Sequence, residues 1–301
     1  MTALRYASFL ATQGWRGGMK EEVVVSETAR GCAYDLGDSV ALVTGAAGAI
    51  GAGVCRGLLR ANCRVAATDL AGPRLDSLVE EFRQEFGERI IGVPVDVTDA
   101  DSVANGVAAI VSAFGRLDIA VINAGIAHVS PLKDMDLEAF RRLERVNVEG
   151  TLLVLRELAR HFEAQKTGGD IILISTKNVF APGAGFGAYS ATKASAHQLA
   201  RIASLELAEI GVRVNMVAPD AVFSEGSRKS GLWQEVGPGR MKARGLDEAG
   251  LEEYYRNRNL LKAKVTAEHV ANAVLFFASR QTPTTGATIP VDGGLPDATP
   301  R

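Results

Sequence analysis

The stretch "SVALVTGAAGAIGAGVCRGLLRAN", residues 39–62, decides the fold. Its first part, "SVALVTG" (39–45), is a short apolar run ending in Gly, which predicts a buried β-strand. Its second part, "IGAGVCRGLLRAN" (50–62), carries apolar residues at Val54, Leu58 and Leu59 and predicts a helix. Between them lies "TGAAGAIG" (44–51), a turn of small residues. Small residues let backbone approach a pyrophosphate, and a helix N-terminus offers free N–H groups and partial positive charge to it. The same loop could be only a tight strand-to-helix turn. Its place after the first strand and before the first helix is what the phosphate-binding mechanism needs.

The pattern continues outward. Strands are expected at 63–70, 89–98, 117–125, 170–177, 212–220 and 286–294, and helices at 73–87, 99–115, 135–166 and 188–211. The helix at 99–115 starts at an Asp cluster that can cap it. Strands alternating with helices imply an α/β fold, a doubly wound parallel sheet of Rossmann type with helices on both faces. Residues 1–38 read as an N-terminal extension and 39–301 as the sheet domain. The polar segment 221–265 interrupts the alternation. It follows a strand end, where open α/β sheets bind ligands, so it is read as a substrate loop, with a solvated surface excursion as the alternative.

Composition sets limits. The 301 residues include 47% hydrophobic ones, enough for a large core, and the net charge is -2. Such a balance favours neither a nucleic-acid nor a membrane-surface partner. Three cysteines (Cys32, Cys55, Cys63) make no disulfide framework and point to a reducing cytoplasm. The four histidines lack zinc-ligand spacing and read as surface or capping residues, so no metal is expected.

Asp69 ends the second strand, eighteen residues beyond Gly51. A carboxylate there accepts bonds from the ribose hydroxyls of an adenosine and repels a 2′-phosphate, which favours NAD over NADP. Asp96 and Val97 end the third strand and Asn123, Ala124 and Gly125 the fourth, all on one sheet edge. Tyr189 and Lys193 lie one helical turn apart and share a helix face. A cation roughly 4 Å from a phenol is worth about 4 kcal/mol at an effective dielectric near 20. That is enough to bring a group of reference pKa about 10 toward neutral pH. Thr176 and Ser175 are strand neighbours, so only one of them faces the cleft.

"TGAAGAIG", "DV" (96–97), "NAG" (123–125), Asn147 in "RVNVEG", "YSATK" (189–193) and "RVNMVAP" (213–219), in this order, resemble the short-chain dehydrogenase/reductase family. The resemblance implies a nicotinamide cofactor, a homotetramer, and catalysis by Asn147, Thr176, Tyr189 and Lys193. It implies cofactor contacts at Gly45, Gly48, Ala49, Ile50, Gly51, Asp69, Leu70, Asp96, Val97, Asn123, Ala124, Gly125, Tyr189, Lys193, Pro219, Val222 and Ser224. Thr176 stands where the family usually has Ser, Ala49 where its loop usually has Gly, and Asp220 where Gly usually follows Pro219. "STKNVFAPGAGFGAYSATKA", "VRVNMVAPDAVFSEGS" and "VDGGLPDATPR" look like the dehydrogenase half of bifunctional rhamnulose-phosphate aldolase/lactaldehyde dehydrogenases, with no aldolase half here. The expected activity is NAD-dependent hydride transfer to or from a sugar-derived alcohol or small hydroxy-aldehyde. A catalytically idle dinucleotide-binding scaffold and an NADPH-dependent carbonyl reductase are the alternatives.

Overall fold

The computed structural model describes residues 34–296. Most of the expected N-terminal extension and the last five residues lie outside them. In chain order the main elements are β1 (Val40–Thr44), α1 (Ala49–Arg60), β2 (Arg64–Asp69), α2 (Pro73–Phe86), β3 (Ile90–Pro94), α3 (Ala100–Phe114) and β4 (Ile119–Ile122). There follow α4 (Leu137–Leu143), α5 (Gly150–Gln165), β5 (Gly169–Ile174), α6 (Gly187–Glu206) and β6 (Val212–Pro219). The chain closes with β7 (Ser224–Glu225), β8 (Arg228–Lys229), α7 (Gly231–Arg244), α8 (Glu248–Arg258), α9 (Ala267–Ala278) and β9 (Thr288–Val291).

Seven strands form one sheet in the order β3-β2-β1-β4-β5-β6-β9, every pair parallel. The order reverses between β1 and β4, which places a crevice beyond their carboxyl ends. The strands are apolar throughout because both faces are covered. Ala41 and Val43 of β1, with Ile172 and Ile174 of β5, pack beneath α1, α2 and α9. Val40 and Leu42, with Ile171 and Leu173, pack beneath α3, α5 and α6. Alternate side chains on each strand thus feed two separate cores.

Two expectations need correction. The segment expected as one long helix, 135–166, is divided by a π-helical turn at Glu144–Glu149 between α4 and α5. Helix α9 was not anticipated. It packs on α1, where Gly53 and Gly57 leave room: a Cβ at these positions would lie 2.4 Å from Ala267 Cβ and 2.8 Å from Ala271 Cβ. No helix among the described residues is long and apolar enough to cross a membrane.

The segment 221–265 is ordered into a small antiparallel hairpin, β7 with β8, followed by α7 and α8. We term it the flap. Pro238 lies inside α7, between Gly237 and Gly239. The hairpin is tied to the first helices: Arg56 of α1 bonds Glu225, Glu81 and Glu85, and Arg228 bonds Glu81.

Candidate active site

The phosphate end is built from backbone. Gly45 takes a positive φ of 63°, and a Cβ on it would stand 2.8 Å from Ala124 Cα. Gly51 has no room either, since its Cβ would meet the Gly45 carbonyl oxygen at 2.3 Å. The loop therefore lies flat against the start of its own helix and the end of β4. Helix α1 begins after Gly48 with no side-chain cap and no acidic residue in its first turn. Its terminal N–H groups and dipole are thus available to an anion, and the cradle fits a dinucleotide pyrophosphate. Ala49, which replaces the usual Gly, is the buried first residue of α1, where a methyl group is accommodated. Ile50 follows, packed against the core.

Asp69 ends β2, and both its oxygens are oriented by backbone. Oδ2 accepts the Ala47 N–H at 2.9 Å and Oδ1 the Leu70 N–H at 2.8 Å. Leu70 itself is exposed. Asn123 donates to the Thr44 and Gly45 carbonyl oxygens, each at 3.0 Å, and the Asn123 and Ala124 N–H groups donate to the Thr44 hydroxyl. The side chain of Asn123 thus fastens the phosphate loop to β4. Asp96 closes its own turn by accepting from the N–H and hydroxyl of Thr98, and Val97 packs toward Gly150 at the start of α5. Pro219 ends β6 opposite Val291, Val222 is buried in the core, and Ser224 pairs with Lys229 in the flap hairpin.

The chemical end brings Asn147, Thr176, Tyr189 and Lys193 together, all buried. Thr176, just past β5, lies close enough to the Tyr189 phenol to favour its ionised form, and it accepts the Asn178 N–H at 3.3 Å. Ser175 turns away to His197 Nδ1 at 2.9 Å, as the alternation of strand residues requires. His197 is two helical turns beyond Tyr189 and buried, so the surface reading fails for it. The capping reading holds for His269, which closes a capping box with Thr266 at the start of α9.

Lys193 Nζ donates to the Ile174 carbonyl oxygen at 2.7 Å. Asn147 sits in the π-helical turn. Its Oδ1 accepts the Ile126 N–H at 2.9 Å, and its Nδ2 donates to the Ile126 carbonyl oxygen and to Thr192 Oγ1. A Cβ on Gly125 would stand 3.2 Å from Asn147 Oδ1 and 3.9 Å from Lys193 Nζ, so the glycine keeps these two groups close.

Burial opposes the depression of the phenol pKa that the helical spacing suggested. Burial pushes the Tyr189 pKa up to about 12, with the Thr176 hydrogen bond only partly opposing it. Burial pulls Lys193 down to about 8. The Coulomb argument used a screened pair, whereas both groups here are removed from water and desolvation dominates.

Sequence reasoning missed the roof of the site. Phe186 and Val236 are buried against Tyr189, with Leu232, Trp233, Ala127 and Val129 beside them. The flap thus covers the phenol with apolar side chains. The i, i+3 relation of Phe186 to Tyr189 was the one local signal; Val236 comes from 47 residues downstream in the flap.

Comparison with known proteins agrees with this geometry. The family model described as short chain dehydrogenase matches residues 39–235. An uncharacterized oxidoreductase, YuxG, of Bacillus subtilis is 36% identical over 87% of this chain, which spans 38% of that protein's length. Sorbitol-6-phosphate 2-dehydrogenase of Escherichia coli is 31% identical, covering 85% of this chain and 98% of its own. The crystal structure of sorbitol-6-phosphate 2-dehydrogenase from Erwinia amylovora superimposes with a TM-score of 0.77, at 31% identity, over 84% of this chain and 98% of that one.

Proposed function

Because the chain belongs to the short-chain dehydrogenase family, we propose that it is an NAD-dependent oxidoreductase acting on a sugar-derived alcohol or small hydroxy-aldehyde. The observation that carries this reading is the Thr176–Tyr189 hydroxyl pair beneath an apolar roof, at the same sheet edge as the uncapped start of α1. A bound nicotinamide supplies the hydride chemistry, and the protein supplies position and proton handling. Gly45, Gly48 and Gly51 would hold its pyrophosphate, and Asp69 its adenosine ribose.

Thr176 orients the reacting oxygen through its hydroxyl. Tyr189 takes the substrate hydroxyl proton in oxidation and returns it in reduction. The high pKa of Tyr189 makes it a proton donor at neutral pH. Oxidation therefore speeds up as pH rises, and carbonyl reduction slows. Lys193 and Asn147 fix the far side of this pair, Lys193 through the end of β5 and Asn147 through the 126 loop and Thr192.

The carboxylate of Asp69 supports NAD. The NADPH reading draws support from Arg74, whose guanidinium lies 3.5 Å from the Ala47 carbonyl oxygen and would offset that charge. Initial rates with the two dinucleotides separate these readings. The sugar-alcohol class draws on the E. coli relative, named for sorbitol 6-phosphate. The narrower likeness to a dehydrogenase half accords with the 38% coverage of the B. subtilis protein. A homotetramer draws on the exposed Leu152 of α5 with Ile202 and Leu205 of α6; light scattering measures it directly. A cytoplasmic setting draws on the buried thiol of Cys55, which enters no disulfide.

Tyr189→Phe tests the central assignment. Turnover falls by about 10²- to 10⁴-fold, the range of a lost acid–base group, while dinucleotide binding persists. Undiminished turnover sinks it.

A further inference from the structure

The flap holds three arginines that form no salt bridge among the described residues: Arg240 and Arg244 of α7 and Arg258 of α8. Each lies over an aromatic ring instead. Arg240 stands 4.6 Å from the centre of Phe186, Arg244 4.7 Å from Tyr254, and Arg258 4.9 Å from Tyr255. Their neighbours differ: Arg228 pairs with Glu81, Lys229 with Glu248 and Arg256 with Glu253. The flap therefore pairs some of its cations and leaves these three arginines, like Lys242 and Lys262, outside any salt bridge among the described residues.

Two of the three covered rings adjoin, Tyr254 meeting Tyr255 edge-on at 5.4 Å, and the buried Tyr255 feels Arg240, Arg258 and Arg244 together with the carboxylate of Asp220. Phe223 stacks on Trp233 at 4.3 Å, and Trp233 meets Tyr255 edge-on at 4.7 Å. Trp233 also packs with Phe186 and Tyr189. A continuous aromatic wall thus runs from the reacting phenol to the arginines. Arg240 is the nearest of them, since the ring it covers is 6.1 Å from that of Tyr189. A guanidinium stacked on a ring keeps its edge donors free for a planar, bidentate acceptor. Arg240 uses them only on the Ala184 carbonyl oxygen, at 3.5 Å. Asp220 lies near Arg258 and Lys177, which offset its charge.

We propose that Arg240 and Arg258, with Arg244 at the rim, form an anion subsite that holds a phosphate or carboxylate at one end of the substrate while a hydroxyl at the other end meets Tyr189. This rests on the hydride-transfer reading for what lies at Tyr189, and on the flap geometry for the anion.

The test is calorimetric titration with sorbitol, sorbitol 6-phosphate and gluconate. The proteins are the wild type, the double variant Arg240→Met/Arg258→Met, and Arg240→Lys. The wild type binds one or both anions at least about tenfold more tightly than sorbitol, the worth of a charge-assisted hydrogen bond. The double variant loses that ratio with its melting temperature kept, and Arg240→Lys retains part of it. Preference for the ester assigns phosphate; preference for gluconate assigns carboxylate. Binding of neither anion, or an unchanged ratio in the double variant, overturns the proposal. Since the titration needs no turnover, an inactive enzyme with the ratio intact would break the hydride reading and leave the subsite standing.

Discussion

The two sides of the crevice are made in different ways. The β1–α1 side is backbone: glycines without room for a Cβ, a helix start without a cap, and carbonyl oxygens held by Asn123. The flap side is side chains: Trp233, Val236 and Arg240 of α7 gathered around Phe186 and Tyr189, with Tyr255 of α8 edge-on to Trp233. A backbone site is specific for what all its ligands share, such as a pyrophosphate. A side-chain site can change with each substrate while the other stays as it is.

The largest expected effect breaks the backbone side. Gly51→Val forces a Cβ against the Gly45 carbonyl oxygen. It weakens dinucleotide binding by about 100-fold or more, as a misplaced cradle does, which fluorescence titration with NADH measures. Where the chain fails to fold, Gly48→Ala is the milder probe, its Cβ meeting Gly45 O at an ordinary 3.4 Å. Trp233→Ala attacks only the other side. It leaves NADH binding within about twofold and lowers kcat/KM by roughly tenfold through a lost wall, with about 3 kcal/mol lost in urea unfolding. If Trp233→Ala weakens NADH as much as substrate, the two sides are not independent. Asp69→Ser sharpens the contrast within the backbone side, shifting the NAD-to-NADP preference by roughly tenfold toward NADP, since one repelling charge is removed.

Both sides were legible to different depths. The strand and helix order could be read because the strands are apolar runs of period-two cores and the turns are glycine, a local signal. Strand alternation said only that one of Ser175 and Thr176 could face the cleft, and the family resemblance chose Thr176. Helix α9 was missed because its apolar run, "ANAVLFFA", cannot be told from a strand by periodicity. The roof was missed because a contact between Val236 and Tyr189 leaves no trace in either segment. The opposing effect of burial on Tyr189 was missed for the same reason: spacing gives distance along a helix, and burial is a property of everything around it.

A last expected effect is on the pH dependence of stability and concerns Lys193. Its pKa falls from 10.5 to about 8 on folding, so between these values the unfolded chain binds more protons and stability rises with pH. Below pH 8 the buried cation is a cost. Lys193→Met therefore abolishes turnover yet raises the melting temperature at pH 6, by the equivalent of up to about 3 kcal/mol. Tyr189 works in the opposite sense: its raised pKa removes stability from pH 10 upward. Thermal melts of the wild type at pH 6, 8.5 and 10 show the rise, and a further melt at pH 11.5 shows the later fall.

Pro238 has no N–H to give, so the Gln234 carbonyl lacks its donor in the middle of α7. Helix α7 is therefore one backbone bond weaker between Val236, which shares the apolar cluster of Tyr189, and Arg240, which lies over Phe186, than along the rest of its length.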